Sequence, residues 1–160
     1  MTAVARPLPP EAAFPPCDDR IVELYAYWLS IHLARGTLPG RQHFDPAAVS
    51  LLLPWIWLVE FQRQPLRFRY RLVGTGHAEL LGRDATGEWL DEAHPRFLTS
   101  SAYSQFVGAV ERAEMGFYKG PPTYHVKEHY MSIERLILPL AKNGTDVDML
   151  LGITVLTAVG

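Results

Sequence analysis

The sequence predicts a single α+β domain built on an antiparallel sheet, and three observations lead there. Two β-hairpin blocks, one within residues 55–74 and one within residues 131–159, flank a helical middle. The last segment, VDMLLGITVLTAV, is apolar on both parities from Met149 to Leu156, as a central strand covered on both faces would be. A helix ahead of the first hairpin carries an apolar stripe wider than one contact surface needs.

The elements follow in chain order. Residues 1–17 hold Pro7, Pro9, Pro10, Pro15 and Pro16 and read as an extended arm, without the continuous apolar stretch of a signal peptide. Asp18 and Asp19 suit a helix N-cap and Gly36 a C-terminal stop, which places a helix over residues 18–36. Its stripe of Ile21, Leu24, Tyr25, Trp28 and His32 is widened by Val22, Leu29 and Leu33. One side of such a helix can lie on its own domain and the other on a second copy, so Tyr25, Trp28, Leu29 and His32 are the candidate dimer contacts.

Asp45-Pro46 pairs an N-cap with a first-turn proline and opens a short helix, PAAVSLLL, that Pro54 ends. WIWLVEF (55–61) has the aromatic and β-branched content of a strand. In RFRYRLVG (67–74) the alternation puts Phe68, Tyr70 and Leu72 on one face and Arg67, Arg69 and Arg71 on the other. Pro95 then opens a helix on which Tyr103, Phe106, Val107, Val110 and Phe117 share a face, carrying it to about Phe117. KGPP (119–122) breaks it, and Asn143-Gly144 signals a hairpin between the last two strands.

Composition excludes several classes of function. At 160 residues, 48% hydrophobic and 20% charged, the chain has enough apolar content for one core without staples. A net charge of −2 gives no basic field for nucleic acid or an anionic membrane. The single cysteine, Cys17, leaves no internal disulfide and no Cys-rich zinc site. The longest apolar run is interrupted by Pro54, so no span crosses a bilayer, and a cytoplasmic location is expected.

Two motifs suggest chemistry. His125-Val126-Lys127-Glu128-His129 matches the H-x-x-E-H zinc-peptidase pattern, which needs both histidines one helical turn apart on one face. The flanking prolines, tyrosines and β-branched residues favour a strand or turn, and on a strand the histidines would stand about 13 Å apart, too far for one ion. A metallopeptidase is therefore the alternative reading, and no metal ligands are assigned. GTGHAELLG (74–82) lacks both the third glycine of a dinucleotide loop and the G-K-[ST] of a phosphate loop. No G-x-S-x-G occurs, and Asp84, Glu88, Asp91 and Glu92 read as a solvated turn region.

The aromatic residues Trp57, Trp89, Tyr103 and Phe106, with Val107, can converge between sheet and long helix, as plain core or as a ligand pocket. Arg135 stands in an otherwise apolar strand. Pointing inward, it would need a carboxylate such as Asp84 or Asp91, a carbonyl, or an anionic ligand.

Three segments, LPGRQHFDPAAVSLLLPWIWLVEF, FRYRLVGTGHAELLGRDATGEWLDE and IERLILPLAKNGTDVDMLLG, occur in order between residues 38 and 153. Together they resemble a family of stand-alone bacterial PAS-domain proteins. The resemblance implies a PAS domain over residues 38–160, with a five-stranded antiparallel sheet in the order 2-1-5-4-3. Helices would pack on one face, with an extra N-terminal helix through which such domains often dimerise. It implies a sensor or adaptor in bacterial signalling rather than an enzyme, acting through ligand binding, through contacts with a signalling partner, or both.

It does not name the ligand, because PAS pockets hold flavins, haem, small acids or nothing. No cysteine lies between residues 18 and 160, which excludes flavin–cysteine photochemistry. Residues 96–118 contain no histidine, and His77 and His94 lie ahead of them, which disfavours haem. A small organic ligand or an empty core remains. With the chain ending at Gly160 just after the last strand, output is expected through another protein or through a change of dimer state.

Overall fold

The computed structural model describes residues 7–123 and 132–157. After a one-turn helix α1 (Pro10–Ala13) comes α2 (Asp19–Arg35), and then short 3-10 turns lead into strands β1 (Ile56–Gln62) and β2 (Arg67–Val73). The middle holds α3 (Thr75–Leu81), α4 (Leu90–Ala93) and α5 (Ser101–Arg112). Strands β3 (Gly116–Gly120), β4 (Ser132–Leu140) and β5 (Met149–Thr157) complete one antiparallel sheet in the order β2-β1-β5-β4-β3.

Alternation along the strands sorts the two faces. Trp57, Phe68, Tyr70, Gly152, Thr154 and Arg135 point to an inner face beneath α5 and the turns before it. Leu58, Leu136, Leu138, Leu151, Ile153 and Val155 point to the outer face, which α2 covers. Two hydrogen bonds fix α2 there. The Trp28 indole N–H donates to the Pro139 carbonyl at 3.0 Å, and the Asp18 amide donates to Glu134 at 2.8 Å. Both faces of β5 are therefore covered, which explains its run of apolar residues on both parities.

The α2 helix begins and ends as its sequence dictates. The Asp18 carboxylate accepts from the Arg20 amide, and Gly36 takes the left-handed conformation at the C-cap with φ of 72°. The arm from Leu8 onward folds back on α2. Tyr25 donates its hydroxyl hydrogen to the Leu8 carbonyl, and Phe14 packs edge-on against Tyr25 and Phe117.

Four expectations are corrected. The α5 helix starts at Ser101 rather than at Pro95, which lies in the turns before it. It ends at Arg112, where Ala113 turns left-handed and the Glu114 amide donates back to Gly108. Phe117 thus belongs to β3 and faces Phe14; its spacing from Tyr103 matched the helical period by coincidence. PAAVSLLL forms 3-10 turns rather than a helix, although Asp45 caps the first of them as expected through the Ala47 amide.

The remaining correction concerns β2. Its register against β1 shifts between Leu58 and Val59, so Val59 faces Tyr70 while Leu58 faces Leu72, with Arg71 as the extra residue. This bulge turns Leu72 to the outer face, away from Phe68 and Tyr70, and leaves it 37% exposed.

Candidate functional site

On the inner face the sequence builds an aromatic floor. The Trp57 ring stacks on Phe106 of α5 with centroids 5.6 Å apart, and Phe106 meets Phe68 and Phe97 edge-on. Tyr103 adds edge contacts to Phe97 and Phe68. The indole N–H of Trp57 donates to the Thr154 hydroxyl at 3.0 Å. Gly152, across the strand pair from Trp57, leaves room for the indole to lie on the β5 backbone.

Arg135 is the register partner of Thr154, and none of it is solvent-exposed. Its guanidinium donates to Gln105 Oε1 on α5 and to Thr123 Oγ1, each at 3.3 Å, and stands 5.0 Å over the Tyr118 ring. Gln105 is bound at both ends of its amide, since its Nε2 donates to the Phe117 carbonyl at 2.8 Å. One glutamine therefore ties α5 to the edge strand β3 and to the buried cation at once.

Two buried histidines lie on the same face, His77 within reach of this cation and His94 next to His77. His77 of α3 packs near Trp57, with ring centroids 6.2 Å apart. Burial, together with the nearby His94 and Arg135, lowers its pKa to about 3. His94 shares a 2.7 Å hydrogen bond with the Tyr70 hydroxyl, and burial lowers its pKa to about 4. Both rings are neutral at physiological pH, so Arg135 brings the permanent positive charge to this layer.

The structure thus brings together Trp57, Tyr103, Phe106 and Arg135 from the residues expected to line a pocket, with Val107 half-buried on α5. Trp89 stands apart. Its backbone bridges to Arg69 at the β2 edge, and its ring lies under the guanidinium groups of Arg67 and Arg69 at 4.3 and 5.3 Å. Neither aspartate considered for Arg135 reaches it; Asp84 caps Thr86 and Asp91 pairs with Arg67. Gln105, Tyr118 and Thr154 escaped the sequence reading, which weighed His77 only as a haem ligand. Thr154, a lone hydroxyl within the apolar run of β5, is the clearest signal that was there to be read.

The candidate dimer contacts sit on the side of α2 that faces the sheet. Tyr25, Trp28 and Leu29 are buried inside the protomer, Trp28 to 3% exposure, because that side of α2 lies on the chain's own sheet. His32 is half-buried and stacks on Trp28. His125, Glu128 and His129 lie outside the described residues. Among the described residues, no group of three or more His, Cys, Asp or Glu side chains could hold a metal, and no helix is long and apolar enough to cross a membrane.

A cleft of about 750 Å³ lies away from this chemistry, at the end of the sheet beside His32, Leu38 and Val147. Both of its guanidinium groups are engaged, Arg112 with Glu114 and Arg63 with the Val147 carbonyl.

Comparison with known proteins agrees with the fold. No curated protein matches the chain. Among solved structures, the chain is similar to the crystal structure of a sensory box sensor histidine kinase from Vibrio cholerae, at 13% identity and a TM-score of 0.50. That match covers 82% of this chain and 98% of the other, and at such identity it speaks for the fold alone. The model of the PAS domain family matches residues 19–155, and the chain belongs to that family.

Proposed function

We propose that this PAS domain is a sensor and adaptor of bacterial signalling rather than an enzyme, with the inner face of its sheet as the ligand site. One observation carries the reading. A fully buried arginine, Arg135, converges with Gln105, Thr154 and Trp57 in a layer that an apolar core alone could have filled. A few polar groups placed within aromatic walls are the chemistry of a small-molecule site. A guanidinium among them selects an anionic group, a carboxylate or a phosphate, over a neutral one.

The ligand's signal would leave through Gln105. Any shift of Arg135 pulls on the glutamine that joins α5 to β3, so occupancy alters the edge of the sheet where a signalling partner can read it. A homodimer, if the domain forms one through α2, would use Glu23, Ala26, Ser30 and Leu33, the exposed side of that helix.

Native mass spectrometry tests the site. Protein kept folded during ionisation should carry an extra mass that denaturing solvent releases, and Arg135→Met protein should lack it. Identical masses under both conditions, repeated after soaking with a mixture of small carboxylates and phosphates, would remove the ligand from the reading and leave a docking module.

A further inference from the structure

The outer face of the sheet is not fully covered by α2. An apolar groove of about 240 Å³ remains between Leu24, Phe44 and Leu53 on one side and Leu58, Leu72 and Leu151 of the sheet on the other. Leu53 and Leu72 are 39% and 37% exposed, and Leu51, two residues from Leu53, is 84% exposed. The bulge in β2 creates this mouth, because regular alternation would have turned Leu72 inward. Clustered exposed leucines around a cleft mark an interaction site more often than a solvent face.

Size and charge narrow the occupant. The groove falls below the roughly 300–1,000 Å³ of small-molecule sites and suits one or two aliphatic side chains. Arg41 lines it, and Arg71 stands exposed beside Leu72; neither forms an ion pair among the described residues. Of the nearby carboxylates, Glu60 is paired with Arg69, while Asp45 accepts from the Ala47 amide at 3.0 Å and keeps its charge, so the acidic flanks of an occupant would meet Arg41 and Arg71. We propose that this groove docks a segment of a partner protein in which aliphatic anchors, one helical turn apart, are flanked by carboxylates. A second copy of this chain fits less well, since an isologous contact would bring the same arginine-rimmed patch to both sides.

The inference is independent of the inner-face ligand and has its own test. Two fluorescein-labelled amphipathic peptides with the same leucine stripe, one carrying glutamates and one lysines elsewhere, are titrated with the full chain by fluorescence polarisation. The glutamate peptide should bind at least about tenfold more tightly, and Arg41→Glu with Arg71→Glu should abolish that preference. Leu72→Asp, at an exposed position, should remove binding while the melting temperature stays near wild type. Equal affinity for both peptides, or no binding of either, overturns the proposal. A dimer in sedimentation that Leu72→Asp dissociates also overturns it, in favour of self-association.

Discussion

The indole of Trp57 lies flat against the backbone of Gly152, so that a methyl group there would occupy the space of the ring. The ring has no free direction in which to yield, being stacked on Phe106 and bonded to Thr154. Gly152→Ala should therefore destabilise the fold by about 1–3 kcal/mol through overpacking. In a chain of this size that lowers the melting temperature by several degrees, roughly 2–4 °C per kcal/mol. An unchanged melt would mean that Trp57 has another rotamer open to it.

A second expectation concerns Trp28. Its side chain is buried against the protomer's own sheet and bonded to Pro139, so truncation leaves a cavity rather than a bare interface. Trp28→Ala should cost about 3–5 kcal/mol in a urea melt. Loss of a dimer with stability retained, seen by light scattering together with that melt, would place Trp28 at an interface instead.

The bulge in β2 separates two neighbours that simple alternation would treat alike. Phe68→Ser should destabilise by about 3 kcal/mol or more, because the ring is buried among Phe97, Tyr103 and Phe106. Leu72→Ser should cost only about 1 kcal/mol, since more than a third of that side chain is already in water. Equal losses in chemical denaturation would contradict the register given for β2.

The buried histidines set the acid response. Their folded pKa values, about 3 for His77 and about 4 for His94, lie below the ordinary 6.5. The unfolded chain therefore binds more protons than the folded one between those limits. Stability from this source is complete above pH 6.5 and falls as pH drops toward 4, by up to about 1.4 kcal/mol per pH unit for each histidine. His94→Gln, which can still bond to Tyr70, should flatten the decline between pH 6.5 and 5 in urea melts. A slope equal to wild type would assign the acid response elsewhere.

Much of the fold was legible because local chemistry and burial agree. Asp18 and Gly36 bound α2 where capping demands, and the apolar parities of β5 announce a strand covered on both faces. The misses occur where context overrides pattern. Phe117 matched the helical period, but the left-handed Ala113 had already ended α5. Leu72 matched the strand period, but one inserted residue turned it outward. The N-terminal helix showed a wide stripe, and nothing local says whether a sheet or a second copy covers it.

The site was half legible for a similar reason. A charge in an apolar strand made Arg135 conspicuous. Gln105 sits beside Phe106 on an amphipathic helix and looks like an ordinary surface residue. Only the tertiary placement of β3 and β4 gives its amide two partners. Trp89 was drawn into the pocket by its residue type, although its ring serves the arginines at the β2 edge.

The most direct measurement is a thermal-shift titration of wild-type and Arg135→Met protein against small carboxylates and phosphates. Arg135→Met leaves the Gln105 oxygen and the Thr123 hydroxyl without their donor, so its unliganded melting temperature should be lower and serves as the variant's own baseline. At least one anion should raise the wild-type melting temperature with saturation, and the same anion should leave Arg135→Met unmoved. A wild-type protein indifferent to every anion, or a variant that responds as wild type does, would contradict the assignment of Arg135 as the ligand-binding group.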